Sequence, residues 1–121
     1  MTVVKNENGM QLLHRPDGRK GIIIAKHFYE KLKLFILTYL DDEVGKTLNE
    51  ILEKADQDFP ATQLINDRSW TVLQVKLDLE ARGLIKAFVP DYNRRANLLK
   101  ITRLGQKLLR QERTLAEINN F

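Results

Sequence analysis

The 121-residue chain contains no cysteine, which excludes a disulfide framework and any zinc module built on thiolates. Histidine is nearly as scarce. His14 and His27 supply too few ligands for an imidazole-rich metal centre; they read as structural or surface side chains, and neither metal nor cofactor is expected. No apolar run approaches the ~18 residues of a membrane span. The first eight residues, Met1 to Asn8, hold no signal-peptide core, so the expected location is the cytoplasm and no membrane partner is expected. The chain also lacks a nucleophile elbow, a phosphate-cradling glycine loop, an HExxH pattern and paired cysteines, so it is not expected to be an enzyme. The acids from Asp41 to Asp58 miss the spacing and closing glutamate of a calcium loop, and a solvated acidic face is the better reading of them. No internal repeat, low-complexity run or Pro/Ser-rich linker divides the chain.

What is present suits one soluble domain: 43% of residues are apolar and 30% charged, enough apolar material for a single core at this length. The net charge of +4 is modest, but its distribution is uneven. Residues 1–40 hold seven Lys/Arg against three Asp/Glu, residues 41–67 two against eight, and residues 68–121 eleven against five. A chain basic at both ends and acidic in the middle presents either a polyanion-binding face in its last half or a solvated surface with clustered charge.

Periodicity and turn chemistry order the elements. Leu12–His14 and Gly21–Ile24 read as two short strands around Arg15-Pro-Asp-Gly-Arg-Lys20, where Pro16 presets φ and Asp17-Gly18 accepts a tight bend. From about Lys26 to Leu40, Phe28, Leu32, Phe35, Ile36 and Tyr39 recur at helical spacing. Asp41-Asp-Glu43 and Gly45 end that helix. Thr47 and Glu50 form a capping box for a second helix carrying Leu48, Ile51, Leu52 and Ala55, closed by Phe59-Pro60. Residues 61–65 read as a turn or one helical turn. Asn66 or Asp67 caps a third helix over about 68–82, with Val72, Val75 and Leu79 as its core stripe and Gly83 as a left-handed stop. Leu84–Val89 and Asn97–Ile101 read as strands joined by a polar connection. Thr102 caps a last helix to about Asn119, with Leu104, Leu108, Leu115 and Ile118 as its apolar members.

The order hairpin, three helices, hairpin, helix predicts a mainly α chain with small β-hairpins, an α+β fold. Two passages sharpen it. Leu79-Glu-Ala-Arg-Gly-Leu-Ile85 resembles the passage by which the recognition helix of MarR-like and PadR-like regulators runs into the first wing strand. Leu99-Lys-Ile-Thr-Arg-Leu-Gly-Gln-Lys-Leu-Leu109 is similar to the passage on the far side of the wing. The resemblance covers about residues 26–109 and implies a winged helix-turn-helix domain there. Residues 1–25 are then an N-terminal arm with a hairpin, and 110–121 a C-terminal helix extension. It further implies binding of double-stranded DNA by a transcriptional regulator, and an effector ligand that no residue here identifies.

In that arrangement the third helix enters the major groove. Arg68, Ser69, Thr71 and Gln74 are the groups expected to face DNA, since Gln pairs with adenine in two places and the others serve bases or phosphates. Asp78 and Leu77 fall on or near the same outward side; Trp70 is expected to pack against the hairpin or first helix. On the wing, Arg94 and Arg95 sit in the turn, with Lys86, Lys100 and Arg103 along the strands and their exit. Asn93 and Asn97 add neutral hydrogen bonds there, and Tyr92 covers a hydrophobic edge. The surplus apolar stripes of the first and last helices suit pairing in a homodimer. The alternative is a winged-helix protein-interaction module that does not bind DNA, with the acidic second helix or the N-terminal hairpin as its contact surface.

Overall fold

A computed structural model of the chain describes residues 9–42, 44–59 and 68–119; the side chains of residues 68, 116, 118 and 119 lie outside that description, as do the expected Pro60 stop, the 61–65 turn and the Asn66 or Asp67 cap. In chain order the elements are β1 (Met10–His14), β2 (Lys20–Ala25), α1 (Lys26–Tyr39), α2 (Leu48–Asp58), α3 (Arg68–Ala81), β3 (Ile85–Phe88), β4 (Leu98–Ile101) and α4 (Arg103–Asn119). Among the described residues the architecture is therefore α+β, four helices and two antiparallel two-stranded hairpins. None of these helices is long and apolar enough to cross a membrane.

Local chemistry sets the element ends. Gly18 takes φ +81° at the bend of the first hairpin and donates to the Arg15 carbonyl at 3.0 Å. The capping box of α2 is complete: Thr47 Oγ1 accepts from Glu50 N at 3.1 Å and Glu50 Oε1 accepts from Thr47 N at 3.0 Å.

One hydrophobic core joins all these elements. Val72, Val75 and Leu79 of α3 are fully buried against Leu32, Ile36 and Leu37 of α1, Ile51 of α2, Ile85 of β3 and Leu109 of α4. On α1 the buried stripe is rotated from the expected one. It consists of Tyr29, Leu32, Lys33, Ile36 and Leu37, while Phe28, Phe35 and Tyr39 are half-buried on its flank. Lys33 takes an inward position because its ammonium is held by Glu30 and Glu112, each at 2.8 Å. Burial works against that charge, but the two hydrogen bonds outweigh it and raise the pKa. On α4 the core takes Gly105 and Leu109, so Leu104 and Leu115 point away from it.

The N-terminal hairpin is no free arm. Both of its strands pack against α1 and α3, and Leu13 is buried in the common core. It is fastened by Asp78, expected on the outward side of α3 but fully buried. Asp78 Oδ1 accepts from His14 N at 2.8 Å; its Oδ2 accepts from Tyr29 Oη at 2.7 Å and from Arg82 Nε at 2.8 Å. Outward from α3 therefore means toward the hairpin, which supplies the donor a buried carboxylate needs.

The two passages quoted above meet at a second junction. Gly83 adopts φ +75° and ends α3. Its carbonyl accepts from Thr102 Oγ1 at 2.7 Å, Thr102 Oγ1 accepts from Gly105 N at 3.1 Å, and Thr102 N donates to the Leu84 carbonyl at 3.0 Å. The first turn of α4 thus lies directly on the end of α3. A Cβ at Gly105 would overlap the Leu84 carbonyl oxygen and stand 2.8 Å from Ile101 Cγ1.

Gly105→Ala is expected to cost roughly 3 kcal/mol, read as a lower denaturant midpoint at unchanged slope. Burial, and then the bond to Asp78, raise the Tyr29 pKa well above its usual value. Tyr29 and Lys33 both hold their protons more tightly folded than unfolded, so stability should be full below about pH 10 and decline above it. Tyr29→Phe should flatten part of that alkaline slope in pH-dependent denaturation, while lowering stability at pH 7 by about 1–3 kcal/mol through the donor Asp78 loses.

Candidate nucleic-acid interface

Between Lys86 and Arg103 the sequence carries five cations and a single acid, Asp91. The second hairpin arranges them. Antiparallel pairing sets Ile85 opposite Ile101, Lys86 opposite Lys100, Ala87 opposite Leu99 and Phe88 opposite Leu98. Alternation turns Ile85, Leu99 and Ile101 to the core and puts Lys86 and Lys100 together on the other face. Lys86 is exposed, and the Lys100 ammonium lies 5.7 Å from the centre of the Phe88 ring. Two like charges directly opposite each other on a ladder are destabilising unless a counter-ion comes to them.

The connection at the far end is built from two consecutive turns. Asn93 N donates to the Pro90 carbonyl at 3.2 Å and Ala96 N to the Asn93 carbonyl at 3.1 Å. The Asn93 side chain accepts from Arg95 N at 3.1 Å, the role that favours Asn at the first position of a turn. Arg94 and Arg95 therefore occupy the two corners of the second turn, both exposed. Tyr92, expected to cover a hydrophobic edge, is instead exposed at the first turn. Asn97 is exposed beside the start of β4, and Arg103 is exposed in the first turn of α4, a turn that holds no acid.

The β4 strand of this hairpin is tied to the α1–α2 connection. Lys46 N donates to the Leu99 carbonyl at 3.0 Å and Leu99 N donates back at 2.7 Å, adding a one-residue rung beyond β4. Gly45, at φ +92°, lies under Phe88 and Leu98, where an added Cβ would come within 3.1–3.3 Å of both. Sequence reading missed this rung because a single bridging residue carries no strand periodicity.

The α3 candidates divide. Ser69 is exposed at the start of the helix and Gln74 half-buried, while the Arg68 side chain lies outside the described residues. Thr71 must be withdrawn: it is only 9% exposed and so cannot reach a base edge. Trp70 is not buried by that hairpin or by α1 but stands 44% exposed.

Charge pairing separates the two charged halves of the chain. Among the described residues no acid pairs with Lys86, Arg94, Arg95, Lys100 or Arg103. The acidic segment, in contrast, is largely engaged. Asp41 faces Arg113 at 3.8 Å, Asp42 binds Lys46, Glu50 caps α2 and Asp58 faces Lys54 at 3.3 Å. Lys46, helped by the Val44 and Gly45 amides, holds the Asp42 carboxyl below the usual range.

Residues 10–95 match the profile of a family of unknown function, DUF6958. No curated protein and no solved structure matches the chain.

Replacing one member of the like-charge pair should relieve the isolated protein. Lys86→Glu is expected to raise the unfolding free energy by about 0.5–1 kcal/mol in low salt, with the gain shrinking in 1 M salt. Equal or lower stability in low-salt urea titration would show that the two ammonium groups do not strain the ladder.

Proposed function

The chain belongs to the DUF6958 family, and from its own residues we propose that it is a winged helix-turn-helix protein that binds double-stranded DNA and regulates transcription as a homodimer. The observation that carries this reading is the cation set Lys86, Arg94, Arg95, Lys100 and Arg103, unpaired among the described residues and gathered on one hairpin and its exit. Arg94 and Arg95, at the corners of an exposed turn, suit phosphate contact or entry of one guanidinium into a narrow minor groove. Lys86, Lys100 and Arg103 suit the flanking phosphates.

Ser69 and Gln74, with Arg68 at the start of α3, are the remaining candidates for the major groove, Gln74 by a two-point bond to adenine. With Thr71 withdrawn and Asp78 enclosed, that reading face is short. Asp78 no longer opposes phosphates, because its carboxylate is directed at its three donors. On this reading backbone contacts by the hairpin supply most of the affinity and α3 a limited selectivity.

A second reading, docking of another protein, draws on the half-buried aromatic residues of α1. Phe35 stacks on Tyr39 and meets Phe59 edge-on at 5.3 Å, lining with Leu34 a groove of about 570 Å³ between α1 and α2. Salt separates the two. Phosphate contact makes the affinity for a random duplex fall steeply with salt, and Arg94→Ala with Arg95→Ala should lower the log–log slope by about 2 per chain. A double variant that binds with the parent's affinity and slope would overturn the hairpin assignment. A parent with no salt-dependent duplex binding would favour the docking reading.

A further inference from the structure

We propose that α4 pairs antiparallel with α4 of a second copy of this chain along Leu104, Leu108, Gln111 and Leu115, with the two-fold axis at Gln111. The inference names the interface of the homodimer in the reading above and stands independently of DNA. Those four residues follow one another at intervals of four, three and four, and Ile118 continues the series in the sequence. That alternation averages 3.5 residues and keeps one seam facing a partner helix, in contrast to the broader apolar face of a helix lying on a domain core.

The core of this chain takes the adjoining side of α4, with Leu108 half-buried on the border between the core and the seam. Gly105 and Leu109 are buried and Glu112 is bonded to Lys33, while Leu104 is 54% and Leu115 58% exposed. Beside the seam, Lys107, Arg110, Gln111, Thr114 and Leu115 line a shallow recess of about 480 Å³, a place for side chains of a facing helix.

Charge selects the occupant and its direction. Residues 103–110 carry Arg103, Lys107 and Arg110 with no acid, whereas in residues 111–119 Glu112 is bonded to Lys33 and Arg113 faces Asp41, which leaves the acid Glu117 to set the sign of that half. Antiparallel pairing lays the basic half of one helix along the acidic half of the other and opposes their dipoles; parallel pairing lays basic half on basic half. The seam is self-complementary about Gln111. Leu108 meets Leu115 of the second copy and Leu115 meets its Leu108, leaving Gln111 beside its own copy. A carboxamide both donates and accepts, so two of them satisfy each other, and a polar residue inside an apolar seam fixes the register.

The absence of native cysteine makes the test direct. Gln111→Cys, Leu104→Cys and Glu117→Cys are each oxidised in the full chain without DNA and resolved on non-reducing gels. Antiparallel pairing should cross-link Gln111→Cys at least tenfold faster than the other two, because two copies of residue 104 would lie fourteen positions apart, about 21 Å along the axis, beyond the ~7 Å Cα limit of a disulfide. Equally fast cross-linking at Leu104→Cys would mean parallel helices and overturn the arrangement. Sedimentation supplies the second arm. The parent should be a dimer at 50–100 μM, and Leu115→Glu a folded monomer with the parent's circular dichroism and a thermal midpoint that, unlike the parent's, does not change with concentration. A monomeric parent, or a Leu115→Glu variant that remains dimeric, would overturn the interface. Because neither arm contains DNA, loss of duplex binding would leave these results standing.

Discussion

A carboxylate removed from water inside a small domain is tolerated only where donors converge on it, and Asp78 is where the organisation of this chain turns. Its three donors come from the backbone of β1, the phenol of α1 and the guanidinium one turn further along α3. Removing any one leaves a buried carboxylate short of a partner, and the loss is largest where the missing group is the counter-charge Arg82. The same cluster holds the Tyr29 ring between two cations, with Lys33 5.5 Å and Arg82 5.7 Å from its centre. It also places the N-terminal hairpin along α3. That hairpin encloses Asp78 and so takes part of α3 away from any partner molecule. The apparent accessory of the fold limits its central helix.

The second constraint is a close approach of backbones. Gly83 turns the chain out of α3, Thr102 accepts and donates at that point, and Gly105 lets α4 lie against the Leu84 carbonyl. Because the hairpin of β3 and β4 leaves from this junction and is held again at Lys46, its orientation relative to α3 is fixed at two places. A charged tip on a hairpin anchored only once would dilute its cations over many positions. Anchored twice, Arg94 and Arg95 are presented at a defined distance from Ser69 and Gln74, which is what reading a regular polymer of phosphates on the proposed function requires.

Most of this local structure was legible because it rests on short-range chemistry. The Thr47–Glu50 box, the Gly18 bend, the Gly83 stop and the Thr102 cap each involve residues three or fewer apart, and each stands where the pattern put it. The core stripe of α3 was legible from the same 3.6-residue period. Errors arose where a long-range partner decided the outcome. Asp78 is polar and looked outward until a donor 64 residues away, His14 N, turned its side of the helix into an interior. Lys33 lies inside because Glu112 of α4 reaches it, and accepting Lys33 rotates the buried stripe of α1 away from Phe28, Phe35 and Tyr39. Leu104 and Leu115 were legible as apolar members of the last helix; the glycine at 105 and the leucine at 109 show which side meets the domain. A period identifies an apolar face without saying which body covers it.

The charge distribution takes its meaning from these contacts. On sequence alone the acidic stretch from Asp41 to Asp67 opposes any polyanion partner as strongly as the last fifty residues attract one. Folding engages many of those acids at short range: Asp41 with Arg113, Asp42 with Lys46, Glu50 with the start of α2, Asp58 with Lys54. A paired charge appears beyond a few ångströms only as a weak dipole, whereas an unpaired one acts as a monopole whose field decays over the Debye length, ~8 Å at physiological salt. The cations from Lys86 to Arg103 stay unpaired among the described residues, and two of them face each other across a ladder. An approaching polyanion therefore meets the second hairpin as a concentrated positive source, although the chain as a whole is only at +4. Pairing, more than total charge, sets where the positive field of this protein is concentrated.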